Sequence, residues 1–266
     1  MTLPPEHIMS EDLIAQFDSV FSGPEAVTGV EEVDLYNSGS FFADEEMPDN
    51  VRTHVYQRLG KLPLSRVLLE SRPEFITTER VREARQLLGS VALEVGIGLE
   101  SANDKVREQF IRKGFDLPAF ERAAAVLAEA GAGMLTNVLL KPLGLEEAAA
   151  VDDAAATGKY IFDLARRLGL PTRVALQPVF VPPGTPLEKE FLAGRYSPPS
   201  LWSVVEVVRQ LHSRGETVVG LSEEGLGPQR SPAGCGKCDQ ALRQALRDYN
   251  RKRTLDVFSG LTCSCR

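Results

Sequence analysis

The residues best suited to chemistry in this chain are four cysteines near its C-terminus. Cys235 and Cys238 form a CxxC pair, and Cys263 and Cys265 form a CxC pair. Four thiolates spaced in this way can surround one tetrahedral zinc ion, which is the interpretation that we favour. The same ligands suit an iron–sulfur cluster, and free thiols or disulfides are the third alternative, so the spacing alone leaves the metal open.

A second set of polar residues follows segments that read as strands. Strand-like segments at about 31–37, 67–70, 91–101, 132–142 and 172–187 alternate with helix-like segments. This alternation predicts an α/β fold with parallel strands and right-handed crossover helices, in a barrel or an open doubly wound sheet. Polar and glycine-rich turns follow the strands, and the carboxyl ends of parallel strands are where such folds place their sites. Each turn taken singly is equally consistent with ordinary turn formation.

Length and composition set the limits on the fold and its setting. The 266 residues are 43% hydrophobic, which predicts one main domain with a sizeable core. A net charge of −7 argues against polyanion binding over the whole surface but leaves a local basic patch open. No apolar run reaches the roughly 18–20 residues of a membrane span, and the N-terminus lacks the features of a signal peptide, so we expect a cytoplasmic protein.

The order of several segments resembles a known superfamily. LYNSGSFF, VLLESRPEFI, LEVGIGLESANDKVREQFIRKGF, FERAAAVLAEAG and LQPVFVPPGTPLEKEFLAGRYSPPS occur in this order over residues 29–200. Together they resemble the radical S-adenosylmethionine (SAM) domain of Elongator's catalytic subunit and relatives that include the radical subunit of archaeosine synthase. The resemblance implies a partial (β/α) barrel over residues 1–222, with a small cysteine-containing extension over residues 223–266. It also implies a [4Fe–4S] cluster and SAM at the open end of the barrel.

The resemblance further implies a set of cofactor contacts, namely Ser38, Gly39, Ser40, Glu70, Arg72, Glu100, Ser101, Lys141 and Gln177. The first three would lie at the methionyl amine, where small residues let the backbone approach a ligand. Glu70 and Arg72 would lie deeper in the pocket, and a structural ion pair involving these two is the alternative.

The later strands would contact the rest of the cofactor. Glu100 and Ser101 would lie near the ribose and the methionyl carboxylate, and Gln177 near the adenine. Lys141 would enter the pocket after the fifth strand of the family's barrel, although a lysine at this point can equally extend to solvent.

The chain departs from the family in one respect. The family's cluster needs three cysteines from a CxxxCxxC loop after the first strand, and residues 1–28 contain no cysteine. One explanation is that the native polypeptide begins earlier and is an ordinary radical SAM enzyme. The other is a cluster-less descendant that binds SAM, a nucleotide or a protein partner without radical chemistry. Whether this chain is an enzyme therefore stays open at this point.

The segment between the two cysteine pairs is basic. It reads as one helix, ALRQALRDYNRKRTLDVF, that carries Arg243, Arg247, Arg251, Lys252 and Arg253. A solvated face with aspartate partners is the simpler interpretation. A contact with the phosphate backbone of tRNA is the functional alternative, in keeping with tRNA-modifying relatives.

Overall fold

The computed structural model describes residues 8–37, 39–221 and 225–266. The strands are β1 (Glu32–Leu35), β2 (Arg66–Glu70), β3 (Ala92–Glu100), β4 (Gly133–Leu140), β5 (Thr172–Pro178) and β6 (Glu216–Val219). The α-helices are α1 (Ser10–Val20), α2 (Asp49–Leu59), α3 (Thr78–Leu88), α4 (Leu117–Glu129), α5 (Glu147–Leu168), α6 (Pro186–Leu192), α7 (Leu201–Leu211) and α8 (Asp239–Lys252). None of the helices in this described part is long and apolar enough to cross a membrane.

The six strands form one sheet in chain order, from β1 to β6. β1 pairs in parallel with β2, β2 with β3, and β5 with β6. The α/β fold with parallel strands in the order of a partial (β/α) barrel is thereby confirmed. β6 is not among the five predicted strands, because its four residues give too short an apolar pattern to distinguish from a loop.

The chain divides into two compact units. The first comprises the described residues up to Ile97, together with Pro118–Leu135 and Leu168–Pro171. In it α3 begins at Thr78, because the hydroxyl of the preceding Thr77 accepts a hydrogen bond from the Arg80 amide at 3.3 Å. The apolar faces of α2 and α3 are buried, and so are the central residues of β2.

The second unit comprises Gly98–Leu117, Thr136–Arg167 and Thr172–Arg266. It holds the ends of β3, β4, β5 and β6 and the cysteine-containing tail, whereas the boundary between residues 222 and 223 stays a prediction. The helix predicted over the basic segment is wrong in its extent. α8 ends at Lys252, because Arg253 takes a left-handed conformation with φ of 52°, and a short 3₁₀ helix follows at Leu255–Phe258.

α8 is held against β6 by a side-chain amide. The Val219 amide donates to Asn250 Oδ1 at 2.9 Å, and Asn250 Nδ2 donates to the Val219 carbonyl at 2.8 Å. A second contact of α8 is aromatic, since the rings of Tyr249 and Phe258 stack with centroids 5.6 Å apart. The Asn250 amide therefore fixes the tail to the last strand of the sheet, and the stacked rings hold the 3₁₀ helix at Leu255–Phe258 against α8.

Candidate functional site

The four cysteines converge in the folded chain. Cys235 Sγ lies 3.9 Å from Cys238 Sγ and 3.5 Å from Cys263 Sγ, and Cys238 Sγ lies 3.5 Å from Cys265 Sγ. All four sulfur atoms lie within 4.8 Å of one another. A tetrahedral zinc ion with Zn–S bonds of about 2.3 Å places its sulfurs about 3.8 Å apart. The cluster therefore has the dimensions of a single-ion site, and the predicted convergence of the two pairs is observed.

A tight loop presents the CxxC sulfurs. Asp239 Oδ1 accepts hydrogen bonds from the amides of Gly234 and Gly236, both at 3.0 Å. Gly236 needs its glycine because its φ is 86°. A Cβ on Gly234 would lie 2.7 Å from Cys238 Sγ, so a larger residue there would push into the cluster. The backbone and Asp239 thus hold the first pair of sulfurs in place before any ion binds.

The electrostatics of the cluster suit a cation. The amide of Lys237 and the neighbouring thiols of Cys263 and Cys265 lower the pKa of Cys235 to about 6. Loss of hydration, followed by hydrogen bonds with the other sulfurs, raises the pKa of Cys265 to about 12. The Cys235 thiolate therefore forms readily at neutral pH, and a bound metal ion would favour ionisation of Cys265.

The end of β3 carries a carboxyl group in an unusual setting. Glu100 has a φ of 66°, a left-handed conformation that is costly for a residue other than glycine. Its Oε1 accepts a hydrogen bond from Lys113 Nζ at 3.0 Å, and its Oε2 is buried with no hydrogen-bond partner in the described part of the chain. Burial raises the pKa of Glu100, although Lys113 acts against that rise. A Cβ on Gly98 would lie 2.5 Å from Glu100 Oε1 and 2.6 Å from Lys113 Nζ, so this glycine makes room for the pair.

The segment after β3 is built to hold this end in place. Lys105–Ile111 forms a π-helix, a rare element that is often found near functional sites. Inside it, Arg107 is 1% exposed and donates to the carbonyls of Ser101 at 3.3 Å and Phe115 at 3.0 Å. It also pairs with Asp104. This buried guanidinium fixes the segment that brings Lys113 to Glu100.

Ser101 is buried and engaged with α5. Its hydroxyl donates to Asp153 Oδ1 at 3.0 Å and accepts from the Asn103 amide at 3.0 Å. The next amide, that of Ala102, donates to Thr157 Oγ1 at 2.9 Å. These contacts give Ser101 a structural role, and its predicted contact with the cofactor stays a prediction.

Lys141, immediately after β4, is buried and paired. Its φ is 65°, and its side chain is 9% exposed, so it does not extend to solvent. Nζ lies 2.8 Å from Glu147 Oε2 and donates to Ser197 Oγ at 3.3 Å, while the Tyr196 hydroxyl donates to the Lys141 carbonyl at 2.8 Å. Glu147 also lines an open cleft of about 390 Å³ that reaches Cys235. The structure therefore gives Lys141 a carboxylate partner at the first turn of α5.

Gln177, near the end of β5, also has a protein partner. Its Nε2 donates to Asn137 Oδ1 at 3.2 Å. A Cβ on Gly220 would lie 1.9 Å from Gln177 Oε1, so the amide occupies the space beside that glycine. The predicted contact of Gln177 with adenine stays a prediction.

In the first unit, the turn after β1 is organised by an acidic residue that sequence reasoning missed. Glu46 Oε2 accepts hydrogen bonds from the Ser40 amide at 2.6 Å and from Asn37 Nδ2 at 3.2 Å. A Cβ on Gly39 would lie 1.6 Å from the same oxygen. Ser38 lies outside the described residues. Glu46 gives no sequence signal of its own, because it lies in an irregular segment six residues beyond Ser40.

The residues after β2 make local contacts in the same unit. Arg72 Nε pairs with Glu74 Oε1 at 2.5 Å, and the Arg72 amide donates to Ser40 Oγ at 3.2 Å. The Glu70 carbonyl accepts from the Phe41 amide at 2.8 Å. The turns after β1 and β2 are thus joined to each other, as the prediction of a shared edge requires. The roles of Glu70 and Arg72 toward a cofactor stay predictions.

Comparison with known proteins connects this fold with curated relatives. No protein-family profile matches the chain. It is 28% identical over 274 residues to the uncharacterized protein MJ0550 of Methanocaldococcus jannaschii, covering 100% of this chain and 73% of that protein. It is 29% identical over 258 residues to archaeosine synthase subunit beta of Methanosarcina acetivorans, covering 96% of this chain and 72% of the relative. The corresponding subunit of Thermococcus kodakarensis is also 29% identical, over 245 residues.

Two solved structures share the fold. The Elp3 protein of Methanocaldococcus infernus superposes with a TM-score of 0.60 at 15% identity, covering 97% of this chain. A radical SAM methyltransferase from Sphaerobacter thermophilus superposes with a TM-score of 0.54 at 16% identity, covering 81% of this chain. The chain spans 63% and 58% of these two proteins, respectively. Together the comparisons confirm that the chain resembles archaeosine synthase subunit beta in sequence and shares its fold with Elp3 and a radical SAM methyltransferase.

Proposed function

We propose that this chain is a radical SAM-type barrel that binds S-adenosylmethionine and serves in the modification of tRNA or of a nucleoside. The fold, the curated relatives and the polar ends of its strands support this function. The observation that carries it is Glu100, whose buried Oε2 has no hydrogen-bond partner among the described residues. An unpaired buried carboxylate oxygen is costly, and a ligand that donates a hydrogen bond would remove that cost.

The residues around Glu100 fit the ribose and carboxylate of SAM. Glu100 Oε2, to which no described residue donates a hydrogen bond, would accept hydrogen bonds from the ribose hydroxyls. Lys113 would hold Glu100 in its ionised form through the hydrogen bond from Nζ to Oε1. SAM itself would supply the group that is cleaved or transferred.

The family's [4Fe–4S] cluster does not fit the residues of this chain. Its four cysteines all lie at positions 235–265, and they gather within 4.8 Å of one another in the second unit. A cubane cluster attaches each thiolate to a different iron, which spreads the sulfurs farther apart than a single ion does. We therefore derive no step through a cluster, and its ligands are not assigned to residues of this chain.

SAM binding is tested by isothermal titration calorimetry of the whole chain. Loss of a charged hydrogen-bond acceptor costs about 1.5–3 kcal/mol, so Glu100→Gln should weaken SAM binding roughly 10- to 150-fold. Glu129→Gln is the matched control, because Glu129 is an exposed carboxylate on α4. Equal affinities of the two variants, or undetectable binding by the unmodified chain, would refute the proposal.

A cluster-less binding module is the second candidate, and the position of the cysteines favours it. Such a module would bind SAM, a nucleotide or a protein partner as a subunit, without radical chemistry. Anaerobic reconstitution with iron and sulfide, applied to this chain and to a form extended at its N-terminus, separates the candidates, with 5′-deoxyadenosine as the product measured. Reductive cleavage of SAM by the extended form alone supports the enzyme, whereas SAM binding without cleavage by either form supports the module.

For the tail we propose a structural zinc site made by Cys235, Cys238, Cys263 and Cys265. The distances between the sulfurs and the loop that holds the CxxC pair support one tetrahedral ion. The ion would tie the C-terminus to the start of α8, and its binding energy would offset the ordering of the tail.

The metal is identified by elemental analysis of the purified chain and by substitution with cobalt, whose tetrahedral thiolate complexes have intense visible bands. One zinc per chain is expected, lost in Cys263→Ser but kept in Ser264→Ala. Trp202, the single tryptophan, lines a cavity of about 180 Å³ with Cys238 and Cys263, so its fluorescence should change on metal removal. Iron with sulfide, or no metal in either form, would contradict the proposal.

A further inference from the structure

The charge of this protein is unevenly distributed along the chain. Residues 225–266 contain eight Lys and Arg residues and three Asp residues, a net charge of +5, whereas the whole chain carries −7. The segment stays positive when Glu223 and Glu224 are added to it. Such an asymmetry in an acidic protein indicates a local surface for an anionic partner.

α8 and the residue pair before it carry much of this charge, in a group that we call the basic stripe. It consists of Lys237, which precedes the helix, and of Arg243, Arg247, Arg251 and Lys252, which lie on the helix. Arg243, Arg247 and Arg251 recur every four residues, so successive members stand about 6 Å apart along the helix axis. All members but the half-buried Arg243 are exposed.

The apolar face of the same helix is covered. Leu242, Ala245, Leu246 and Tyr249 are buried, so the orientation of α8 is fixed by the core and the basic stripe faces outward. The exposure of the basic stripe therefore follows from the packing of α8 as it stands, and no movement of the helix is needed to present it.

Most cations of the stripe have no acidic partner in the part of the chain that the structure describes. No carboxylate lies within ion-pair distance of Lys237, Arg247, Arg251 or Lys252 there, in contrast to Arg52, which pairs with Asp44 at 2.7 Å.

Asp248, the aspartate on α8 that was expected to pair with the basic residues of the helix, does not form an ion pair with them in the described part of the chain. Asp248 instead accepts a hydrogen bond from Gln244 at 3.1 Å. Burial, and then the charge of Arg247, lower the pKa of Arg243, whose Nη2 donates to the Pro232 carbonyl at 2.5 Å. Like charges thus lie side by side along α8, where an external anion would relieve their repulsion.

The chemistry of the surface favours a polyphosphate chain over a membrane. Membrane-surface helices place large apolar side chains beside their cations. The large hydrophobic residues exposed in the described structure are Ile8, Met9, Val20, Val30, Tyr36 and Leu192, and none belongs to the tail. Arginines in a regular row suit the repeated phosphates of a nucleic acid strand, because each guanidinium can form paired hydrogen bonds with a phosphate.

We propose that the basic stripe of α8 binds the phosphate backbone of RNA and thereby docks the nucleic acid substrate on the second unit. The inference deepens the proposed function and rests on it for the choice of RNA as the anion. Because the basic stripe would contact only phosphates, it would increase the affinity for RNA without distinguishing between RNA sequences.

The test is fluorescence anisotropy with a labelled tRNA transcript, without SAM, over a range of salt concentrations. Each phosphate contact contributes about 0.7–0.9 to the slope of log K against log salt. Arg247→Gln with Arg251→Gln should therefore reduce the slope by about 1.4–1.8 and weaken binding roughly 25- to 60-fold at 0.1 M salt.

The matched control replaces Arg82 on α3 and Arg122 on α4 by glutamine, which removes the same charge from two other exposed, unpaired arginines. This variant should bind RNA as the unmodified chain does. Equal losses in both variants, no loss in either, no RNA binding at all, or preferential binding to phosphatidylserine vesicles would each overturn the inference. Because SAM is absent from the assay, any of these results leaves the cofactor proposal standing.

Discussion

Replacing Lys141 by methionine should cost this protein about 2 kcal/mol of stability. Removing one partner of a fully buried ion pair costs about 3–5 kcal/mol, and the same change at the surface costs less than about 1 kcal/mol. The Lys141 side chain is 9% exposed and that of Glu147 is 38% exposed, so an intermediate value applies. In a chain of this length, the loss corresponds to a fall of about 4–8 °C in Tm.

Thermal unfolding of Lys141→Met, Glu147→Gln and the double variant measures the coupling between the two residues. We expect the double variant to lose at least 1 kcal/mol less than the sum of the single losses, since the pair is shared. Arg166→Met is the control, because the Arg166–Asp163 pair is 62% and 45% exposed and should matter little. Additive losses would refute the assignment of Lys141 to this ion pair.

The same variants also separate the structural role of Lys141 from its predicted contact with SAM. If Lys141 contacts the cofactor as well, Lys141→Met should weaken SAM binding in calorimetry, whereas Glu147→Gln should leave it nearly unchanged. Equal SAM affinities in both variants would remove Lys141 from the predicted cofactor set.

The pair should also leave a signature in acid. Burial alone would raise the pKa of Glu147, but hydrogen bonds from Lys141, Ser203 and the Ser200 amide outweigh it and leave the pKa below its ordinary 4.5. A carboxyl group with a lowered folded-state pKa stabilises the protein above the unfolded pKa and loses that contribution as pH falls through the folded value. Stability measured from pH 6 down to pH 3 should therefore fall less steeply in Lys141→Met than in the unmodified chain.

Two glycine substitutions test other close approaches. Gly98→Ala should displace the ends of the Glu100 and Lys113 side chains, which are flexible. The SAM affinity should therefore fall about tenfold while Tm hardly changes. An unchanged SAM affinity would argue against a role for the Glu100–Lys113 pair in binding. Gly158→Ala would bring a Cβ within 2.5 Å of Leu211 Cδ1, so it should destabilise the protein by about 1–3 kcal/mol in thermal unfolding, despite the better helix propensity of alanine. A more stable variant would show that α5 and α7 are not this tightly packed.

The regular elements of the fold were predictable because their signals are local. The apolar run of β3 predicts a strand over 91–101, and the structure has Ala92–Glu100. Thr77 marks the start of α3 through its side-chain oxygen. The π-helix Lys105–Ile111 was not predictable, because its hydrogen bonding departs from the helical period that a pattern search assumes.

The candidate site was predictable in part. The spacing of the two cysteine pairs predicts a shared metal site, and the folded chain brings the four sulfur atoms together. Single partners in irregular segments leave no comparable trace, so Glu46 and the pairing of Lys113 with Glu100 were missed. Sequence reasoning finds groups that act as a motif, whereas single partners are set by tertiary structure.

The amide of Asn250 has a consequence for how the molecule avoids self-association. By satisfying both backbone groups of Val219, one side chain imitates the strand that would otherwise extend the sheet beyond β6. In a version of the protein that lacked α8, the amide and carbonyl of Val219 would be free to pair with a strand of another molecule. The helix that carries the arginines thus also covers the backbone groups at Val219 on the last strand. We therefore expect the tail to be needed for keeping the barrel from associating with other molecules.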